Sequence, residues 1–234
     1  MINIEHFKFS SKGKQEINED YIGTLSAENL GLYFICDGTS NYGHGELAAR
    51  MIAAEIINYT NKNHKEIQPV NLIQSAINAA NESVWNKRKE LKSKFGATLA
   101  GLYINDKVIH AFWIGDVRVY QIRNSQIIFQ STDHSLTNKL KQEFPTTSQK
   151  ISNYSNIITA SLSGKSIEKL SITELQPLQG DIFAICSDGL WKNIPMNIET
   201  LAGLNNQALK NTLTTYNEHF PDNYSIIKLL CTKI

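Results

Sequence analysis

The sequence has 234 residues and a mass of 26.3 kDa, which is the size of one large domain or two small ones. Hydrophobic residues make up 41% and charged residues 19%, so a wholly disordered chain is excluded. The 23 Lys and Arg residues nearly balance the 22 Asp and Glu residues, giving a net charge of +1. Because no overall field attracts anions, we expect neither nucleic acid nor a membrane as a partner.

No run of the sequence approaches the roughly 20 apolar residues of a membrane span, and residues 1–14 lack an apolar stretch behind their positive charges. The three cysteines, Cys36, Cys186 and Cys231, are odd in number and have no CxxC spacing, which indicates neither a disulfide framework nor a zinc site. We expect a cytoplasmic protein with these thiols buried as small hydrophobes. Without a linker or a repeat, residues 1–234 read as a single domain.

The predicted strands are short segments rich in β-branched and aromatic residues. They are residues 32–36, 97–104, 108–114, 117–122, 127–130, 182–186 and 224–231. Short breaks at Asn105-Asp106 and Asn124-Ser125 predict antiparallel neighbours, since a parallel connection needs a dozen or more residues.

Long helical patterns follow the first predicted strand. In 46–59 and again in 72–91, apolar residues recur every three or four positions, so each helix has one apolar face that needs a sheet. A third helical pattern, 205–219, precedes the last strand. Strands and helices thus come in blocks, which favours an α+β layered sandwich over a doubly wound sheet.

Aspartates recur where the predicted strands end. Asp37 and Asp188 each follow an apolar run and precede a glycine, Asp116 follows another such run, Asp20 closes an Asn-Glu-Asp triplet, and Asp222 precedes the last strand. Converging carboxylates repel one another unless cations neutralise them. Because the sequence has no His or Cys cluster, the oxygen ligands favour Mg²⁺ or Mn²⁺. A single Asp-Gly pair would, by contrast, usually mark only a turn.

Seven short motifs occur in order along most of the chain. They are Ile17-Asn18-Glu19-Asp20, Ile35-Cys36-Asp37-Gly38 continuing to Gly45-Glu46-Leu47-Ala48, Gly96-Ala97-Thr98-Leu99-Ala100, Gly115-Asp116-Val117-Arg118, Thr132-Asp133-His134-Ser135, Cys186-Ser187-Asp188-Gly189-Leu190-Trp191 and Asp222-Asn223. Together they resemble the bacterial-type members of the type 2C metal-dependent serine/threonine protein phosphatase family. The resemblance implies a four-layer α/β/β/α sandwich, in which two antiparallel sheets are flanked by helices.

The resemblance also implies a centre of two Mn²⁺ or Mg²⁺ ions. By the family pattern, Asp37 would bridge both ions, the Gly38 carbonyl would bind one of them, and Asp188 and Asp222 would bind the other. Asp116, paired with Asp188, matches the position that holds a third, weaker metal in bacterial-type members.

The implied activity is hydrolysis of phosphoserine and phosphothreonine by a metal-activated water, without a phosphoenzyme. The expected catalytic residues are Asp37 and Asp188, through the metals, with Glu19 and Asp20 orienting the water. The implied partners are proteins phosphorylated on serine or threonine and an opposing serine/threonine kinase.

Three positions depart from the family pattern or stay open. Gln15 stands where the family often carries an arginine that grips the substrate phosphate, and Lys14 beside it supplies a charge without the guanidinium fork. Lys14, Gln15 and His44 are therefore the candidate residues for binding the substrate phosphate. His44 is also a candidate acid or simply a solvated loop residue. These departures leave two alternative functions open. One is a catalytically weak or inactive module that binds phosphoproteins on the same fold, and the other is a phosphatase of small phosphate esters.

The remaining motif residues are expected to support the site. Arg118 is predicted to brace it, His134 to hold the following segment by hydrogen bonds, and Trp191 to belong to the core. Residues 136–156 match the family's variable flap over the substrate entrance.

Overall fold

The computed structural model describes residues 2–27, 29–40, 43–105, 108–143, 157–167 and 169–233. Its strands are β1 (Asn3–Ser11), β2 (Asp20–Ala27), β3 (Leu30–Ser40), β4 (Phe95–Ile104), β5 (Ile109–Ile114), β6 (Arg118–Arg123), β7 (Gln126–Gln130), β8 (Ser171–Leu175), β9 (Ile182–Cys186) and β10 (Tyr224–Lys233). Its helices are α1 (Gly45–Asn63), α2 (Pro69–Leu91), α3 (Leu136–Glu143), α4 (Asp188–Trp191), α5 (Ile198–Gly203) and α6 (Asn206–Thr215). Within this part of the chain, no helix combines the length and the apolar character that a membrane span requires.

The described strands form two five-stranded sheets in which all the pairings are antiparallel. The first sheet has the order β1-β10-β9-β6-β7 and the second has the order β2-β3-β4-β5-β8. Ile35 and Leu102 of the second sheet share one buried cluster with Phe183 and Ile227 of the first, so the sheets pack face to face.

Helices cover the outer face of each sheet. In β3 the side chains alternate: Ile35 faces the other sheet, whereas Phe34 packs in a cluster with Ile52 of α1 and Ile77 of α2. The outer face of the first sheet packs on α5 and α6 through residues such as Leu201 and Leu209. These layers confirm the predicted α+β fold, a four-layer α/β/β/α sandwich.

Two predicted hairpins are confirmed, and a change of sheet separates them. β4 pairs with β5, and β6 pairs with β7 through Asn124 and Ser125. Both turn residues have positive φ values, 51° and 60°, as a tight hairpin of this twist requires. Between the hairpins the chain crosses from the second sheet to the first at Gly115, where φ is +105° and a Cβ atom would lie 2.3 Å from the Thr98 side chain.

Other parts of the prediction were incomplete. β1, β2 and β8 were not predicted; all three are edge strands, where partly exposed polar residues hide the strand pattern. The prediction that Asp37 follows its strand was wrong, because β3 continues through Asp37 and Gly38 and pairs there with β2 and β4. Of the predicted flap, residues 136–143 are α3 and residues 144–156 lie outside the described residues.

Candidate metal centre

Three carboxylates meet at one end of the sandwich. Asp37 comes from β3 of the second sheet, Asp116 from the connection between β5 and β6, and Asp188 from the start of α4, just after β9 of the first sheet. Each offers an oxygen atom, and these atoms all lie within 4.8 Å of one another. The sequence therefore correctly predicted that these aspartates converge.

Asp20 lies behind this cluster and is almost completely buried. It is directly opposite Asp37 in the β2–β3 pairing, and its Oδ2 accepts a 2.7 Å hydrogen bond from the Ser187 hydroxyl. Its Oδ1 is buried without a hydrogen-bond partner among the described residues. Burial is the main cause that raises the pKa of Asp20, to about 7, and the charges of Asp188 and Asp222 add to it.

Asp37 and Asp116 are perturbed in the same direction. Burial first, and then the neighbouring carboxylates of Asp20 and Asp188, raise the pKa of Asp37 well above its ordinary value. Burial followed by the charge of Asp188 raises the pKa of Asp116 to about 6, although Lys192 opposes this shift. The Asp116 Oδ1 atom, like that of Asp20, is buried and unpaired within the described structure.

This set of groups fits a divalent cation on chemical grounds. Clustered carboxylates of like charge, with buried and unpaired oxygens among them, carry negative charge that the neighbouring protein groups neutralise only in part. Hard cations such as Mg²⁺ and Mn²⁺ take oxygen ligands of this kind, whereas zinc favours nitrogen and sulfur.

Glu19 and Asp222 lie beside the three-aspartate cluster. The Glu19 Oε1 accepts a 3.1 Å hydrogen bond from the Gly45 N–H at the start of α1, and the Glu19 N–H donates to Asn223 Oδ1 at 2.7 Å. Burial is the main cause that raises the pKa of Glu19, and the same holds for Asp222. Asp222 is close enough to Asp188 for the two charges to interact, but it is not part of the 4.8 Å group.

Two glycines allow this packing. A Cβ atom on Gly38 would lie 2.2 Å from the Gly45 carbonyl oxygen, and one on Gly45 would lie 2.5 Å from the Glu19 carboxyl carbon. Side chains at either position would push α1 away from the carboxylates. The proposed role of the Gly38 carbonyl as a metal ligand stays a prediction.

Lys192 is a site residue that the sequence analysis missed. Its Nζ lies 2.8 Å from Asp188 Oδ2 and 3.3 Å from Asp116 Oδ2. The signal that could have revealed it is the four-residue spacing from Asp188, which places both side chains on one face of a helix. Ser187 and Asn223 were also missed as supporting groups; the Asn223 amide ties the 12–19 loop to the site by donating to the carbonyls of Lys12 and Ile17.

Arg118 has the bracing geometry that was predicted. Its guanidinium forms two hydrogen bonds, of 2.8 and 2.7 Å, with the Asp133 carboxylate, and it lies 3.3 Å from the centroid of the Trp191 ring. Trp191 was predicted to be core but is only partly buried, and its indole N–H donates to the Asp116 carbonyl at 3.0 Å. Arg118 and Trp191 thus hold the backbone that carries Asp116.

His134 was predicted to hold the following segment by hydrogen bonds; the bonds of its backbone N–H and its ring instead connect it to the β5–β6 connection and to β8. Its N–H donates to the Gly115 carbonyl at 2.8 Å, and the Gly115 N–H donates to its Nδ1 at 3.2 Å. Because Nδ1 is an acceptor, the neutral ring carries its proton on Nε2, which lies 3.1 Å from the Ser171 hydroxyl. Burial lowers the pKa of His134 to about 4, so the ring is neutral at physiological pH.

The three candidate phosphate-binding residues lie on segments that flank the site. The Lys14 N–H donates to the Phe220 carbonyl at 3.0 Å, and the Gln15 amide donates to the Pro221 carbonyl at 2.9 Å. Both side chains are on the exposed 12–19 loop next to Asp222. His44 precedes α1 and packs edge-on against Phe95, with 5.6 Å between the ring centroids. Their binding of phosphate stays a prediction.

The fold is a layered sandwich with a cluster of carboxylates at one end, to which both sheets contribute. This arrangement is typical of a protein that binds divalent cations. Comparison with known proteins identifies the family. Residues 10–225 match the family model described as protein phosphatase 2C. The chain therefore belongs to the protein phosphatase 2C family.

Individual relatives agree with this assignment. A putative protein phosphatase of Mycoplasma pneumoniae is 25% identical over 205 residues, which span 80% of this chain and 79% of the relative. The serine/threonine phosphatase Stp1 from Staphylococcus aureus superposes with a TM-score of 0.84 at 22% identity, over 99% of this chain and 96% of that one. The catalytic domain of the phosphatase PstP, solved in complex with two manganese ions, gives a TM-score of 0.81 at 20% identity over the whole of both chains. At these identities the structural matches establish a shared fold.

Proposed function

We propose that this chain is a protein phosphatase that hydrolyses phosphoserine and phosphothreonine and depends on Mn²⁺ or Mg²⁺. The observation that carries the proposal is the cluster of the buried carboxylate of Asp116 with the half-buried carboxylates of Asp37 and Asp188, in a chain of the protein phosphatase 2C family. The relative PstP was solved with two manganese ions, which supports the choice of cation.

Asp37, Asp188, Asp222 and the Gly38 carbonyl are the proposed ligands. Divalent cations held by these residues would supply positive charge against the carboxylates and the substrate phosphate, and a water of lowered pKa as the nucleophile. The chain holds its part of the site rigidly, since Asp37 is fixed in the middle of three paired strands, and the backbone N–H of Asn223 donates to Asp222 Oδ1 at 2.8 Å.

Asp20 and Glu19 are proposed to orient the attacking water. Each already has one carboxylate oxygen engaged, Asp20 with the Ser187 hydroxyl and Glu19 with the Gly45 N–H. These bonds fix the two side chains in one direction, which supports a positioning role. The leaving serine or threonine oxygen must also receive a proton, and no single group of the described site is assigned as its donor.

The substrates that we propose are phosphorylated proteins, so an opposing serine/threonine kinase is a further expected partner. We also propose a cytoplasmic location. The three free cysteines, all buried, support a reducing compartment.

The test is hydrolysis of a phosphothreonine peptide with Mn²⁺, with and without a chelator. We expect metal-dependent turnover that falls by more than about 100-fold in Asp37→Asn and Asp188→Asn, since losing a direct ligand exceeds the effect of losing an outer-shell group. Glu90→Gln, an exposed charge change in the last turn of α2, is the matched control.

Two results would count against the proposal. Turnover without metal, or full activity in both aspartate variants, would contradict the metal-dependent mechanism. No turnover with metal demonstrably bound would instead favour the phosphoprotein-binding module.

A further inference from the structure

Lys192 occupies a position between two of the clustered carboxylates. Its ammonium nitrogen contacts Asp188 Oδ2 at 2.8 Å and Asp116 Oδ2 at 3.3 Å, so one cationic group bridges the two acids. The ammonium is a compact charge with three donors, which suits contact with two carboxylates at once.

We propose that Lys192 is a built-in cation that competes with a metal ion for the Asp116 and Asp188 pair. In consequence, the centre holds two divalent cations and takes up a third only when Lys192 is displaced. The inference rests on the proposed divalent centre, and it concerns the number of ions rather than their presence.

The fold holds Lys192 in this position. Asp188 and Lys192 lie one helical turn apart, and the Lys192 N–H donates to the Asp188 carbonyl at 3.0 Å. The Lys192 Nζ lies 5.0 Å from the centroid of the Trp191 ring, and the indole N–H of Trp191 donates to the Asp116 carbonyl. Contacts thus connect Asp116, Trp191 and Lys192. Because these contacts already restrict the Lys192 side chain, it loses less conformational entropy when its ammonium group bridges the two acids.

Electrostatics makes the competition direct. A divalent ion that used the facing oxygens of Asp116 and Asp188 would lie within a few ångströms of the ammonium, and like charges at such a distance repel strongly in a partly buried site. Yet the Asp116 Oδ1 is buried with no partner in the described structure. Lys192 therefore occupies only one of the two acceptor oxygens of the Asp116 carboxylate. Once the ammonium is removed, both Asp116 oxygens become available to an ion.

Lys192 can also move away. Its side chain is 25% exposed and lines an open groove of about 410 Å³ together with Arg118 and Asp133. Rotation into this groove would place the ammonium in water, so we expect weakened uptake of a third ion rather than complete exclusion.

The experiment counts Mn²⁺ bound to the full chain by isothermal titration calorimetry, with free Mn²⁺ followed by electron paramagnetic resonance. We expect two tightly bound equivalents in the wild type and a third that binds only weakly. Lys192→Met, which keeps the length of the side chain without its charge, should bind a third equivalent at least about tenfold more tightly than the wild type does. Lys210→Met, the same change at an exposed position on α6, should behave as the wild type.

A double variant locates the additional ion. Asp116→Asn in the Lys192→Met background should return the count to two, because it removes the acid that the lysine had neutralised. Lys192→Gln should give the same result as Lys192→Met. Agreement between the two variants would exclude a folding defect of one of them as the cause.

The possible failures are distinguishable. Equal stoichiometry and affinity in the wild type and in both Lys192 variants would overturn this inference while leaving the two-metal centre intact. Absence of Mn²⁺ binding in the wild type and every variant would overturn the proposed function as well.

Discussion

Buried aspartates at the two ends of the β6–β9 strand pair differ in how completely the surrounding groups neutralise their charge. At one end, Asp181 is 1% exposed and its carboxylate accepts hydrogen bonds of 2.7 to 2.9 Å from Arg123, Gln121 and the Leu178 N–H. Burial alone would raise the pKa of Asp181, but these donors outweigh it and the pKa is lowered. The charge of this acid is therefore fully satisfied by the chain.

At the other end, the chain leaves its acids incompletely satisfied. Asp20 and Asp116 each have a buried oxygen without a partner in the described structure, and the pKa values of Asp20, Asp37 and Asp116 are all raised. The difference teaches that burial of carboxylates is not itself the mark of function. A functional site is indicated where the protein leaves a buried carboxylate without enough partners, so that a ligand must neutralise its charge. Such an arrangement lowers the stability of the ligand-free protein.

Metal addition gives the strongest test of this contrast. A cation that binds only the folded protein at 100 times its dissociation constant adds about 2.7 kcal/mol per site to the free energy of unfolding. We expect Mn²⁺ to raise the melting temperature of the wild type and of Asp181→Asn, but to raise that of Asp37→Asn far less. Differential scanning calorimetry measures this, with chelator-treated protein as the reference. Equal stabilisation of all three proteins would show that Mn²⁺ does not bind at the Asp37 end.

The same two substitutions should differ in metal-free protein. Asp181→Asn leaves the Gln121 amide and the Leu178 N–H without a full acceptor, and we expect a loss of about 2–3 kcal/mol in the free energy of unfolding. Asp37→Asn removes a repelled charge and can still donate to Asp188, so its stability should be unchanged or higher. Urea unfolding in the presence of a chelator measures both values, and similar losses in the two variants would contradict the contrast.

The pH dependence of the metal-free protein should follow the raised pKa values. Asp116 has a folded pKa of about 6 and an ordinary value of 3.8, so between these values the folded state binds more protons than the unfolded state. Stability should therefore fall as the pH rises from about 4 to about 6, by on the order of 2 kcal/mol from Asp116 alone. Asp181, with a lowered pKa, acts in the opposite sense: its contribution is present above its ordinary pKa and is lost on further acidification.

Urea midpoints measured from about pH 4 to about pH 8 test this, with chelator present. Asp116→Asn should flatten the dependence between pH 4 and 6. The same slope between pH 4 and 6 in the wild type and in Asp116→Asn would contradict the raised pKa of Asp116.

Much of this architecture could be predicted because local patterns determine it. α1 and α2 have clear helical periodicity, and the acids of the cluster follow strongly apolar segments that had to be buried strands. The seven motifs then gave the four layers. The edge strands β1, β2 and β8 could not be predicted, because their side chains are partly exposed and their pairing depends on distant parts of the chain.

The supporting contacts of the site were missed for the same reason. Ser187 donates to an acid 167 residues earlier in the chain, and Lys192 contacts Asp116, 76 residues away. Motif spacing predicts which acids converge, and the four-residue step from Asp188 to Lys192 predicts that contact. It contains no signal for the contact of Ser187 with Asp20 or of Lys192 with Asp116, which the fold brings together.

The smallest expected effect comes from adding an arginine near the carboxylate cluster. Arg123 already provides such a permanent cation to Asp181 at the opposite end of the β6–β9 strand pair. Gln15 lies on the 12–19 loop, bonded to the Pro221 carbonyl and adjacent to Asp222. In Gln15→Arg, a guanidinium fork could grip a substrate phosphate, and we expect KM for a phosphothreonine peptide to fall by about five- to tenfold with little change in kcat.

Gln15→Lys separates charge from geometry in this last test. The lysine adds the same charge without the fork, so its KM should fall less than that of Gln15→Arg. Equal effects would mean that only the charge matters at this position. An unchanged or higher KM in Gln15→Arg would mean that residue 15 does not reach the phosphate, because a guanidinium within reach of a dianion cannot fail to strengthen its binding.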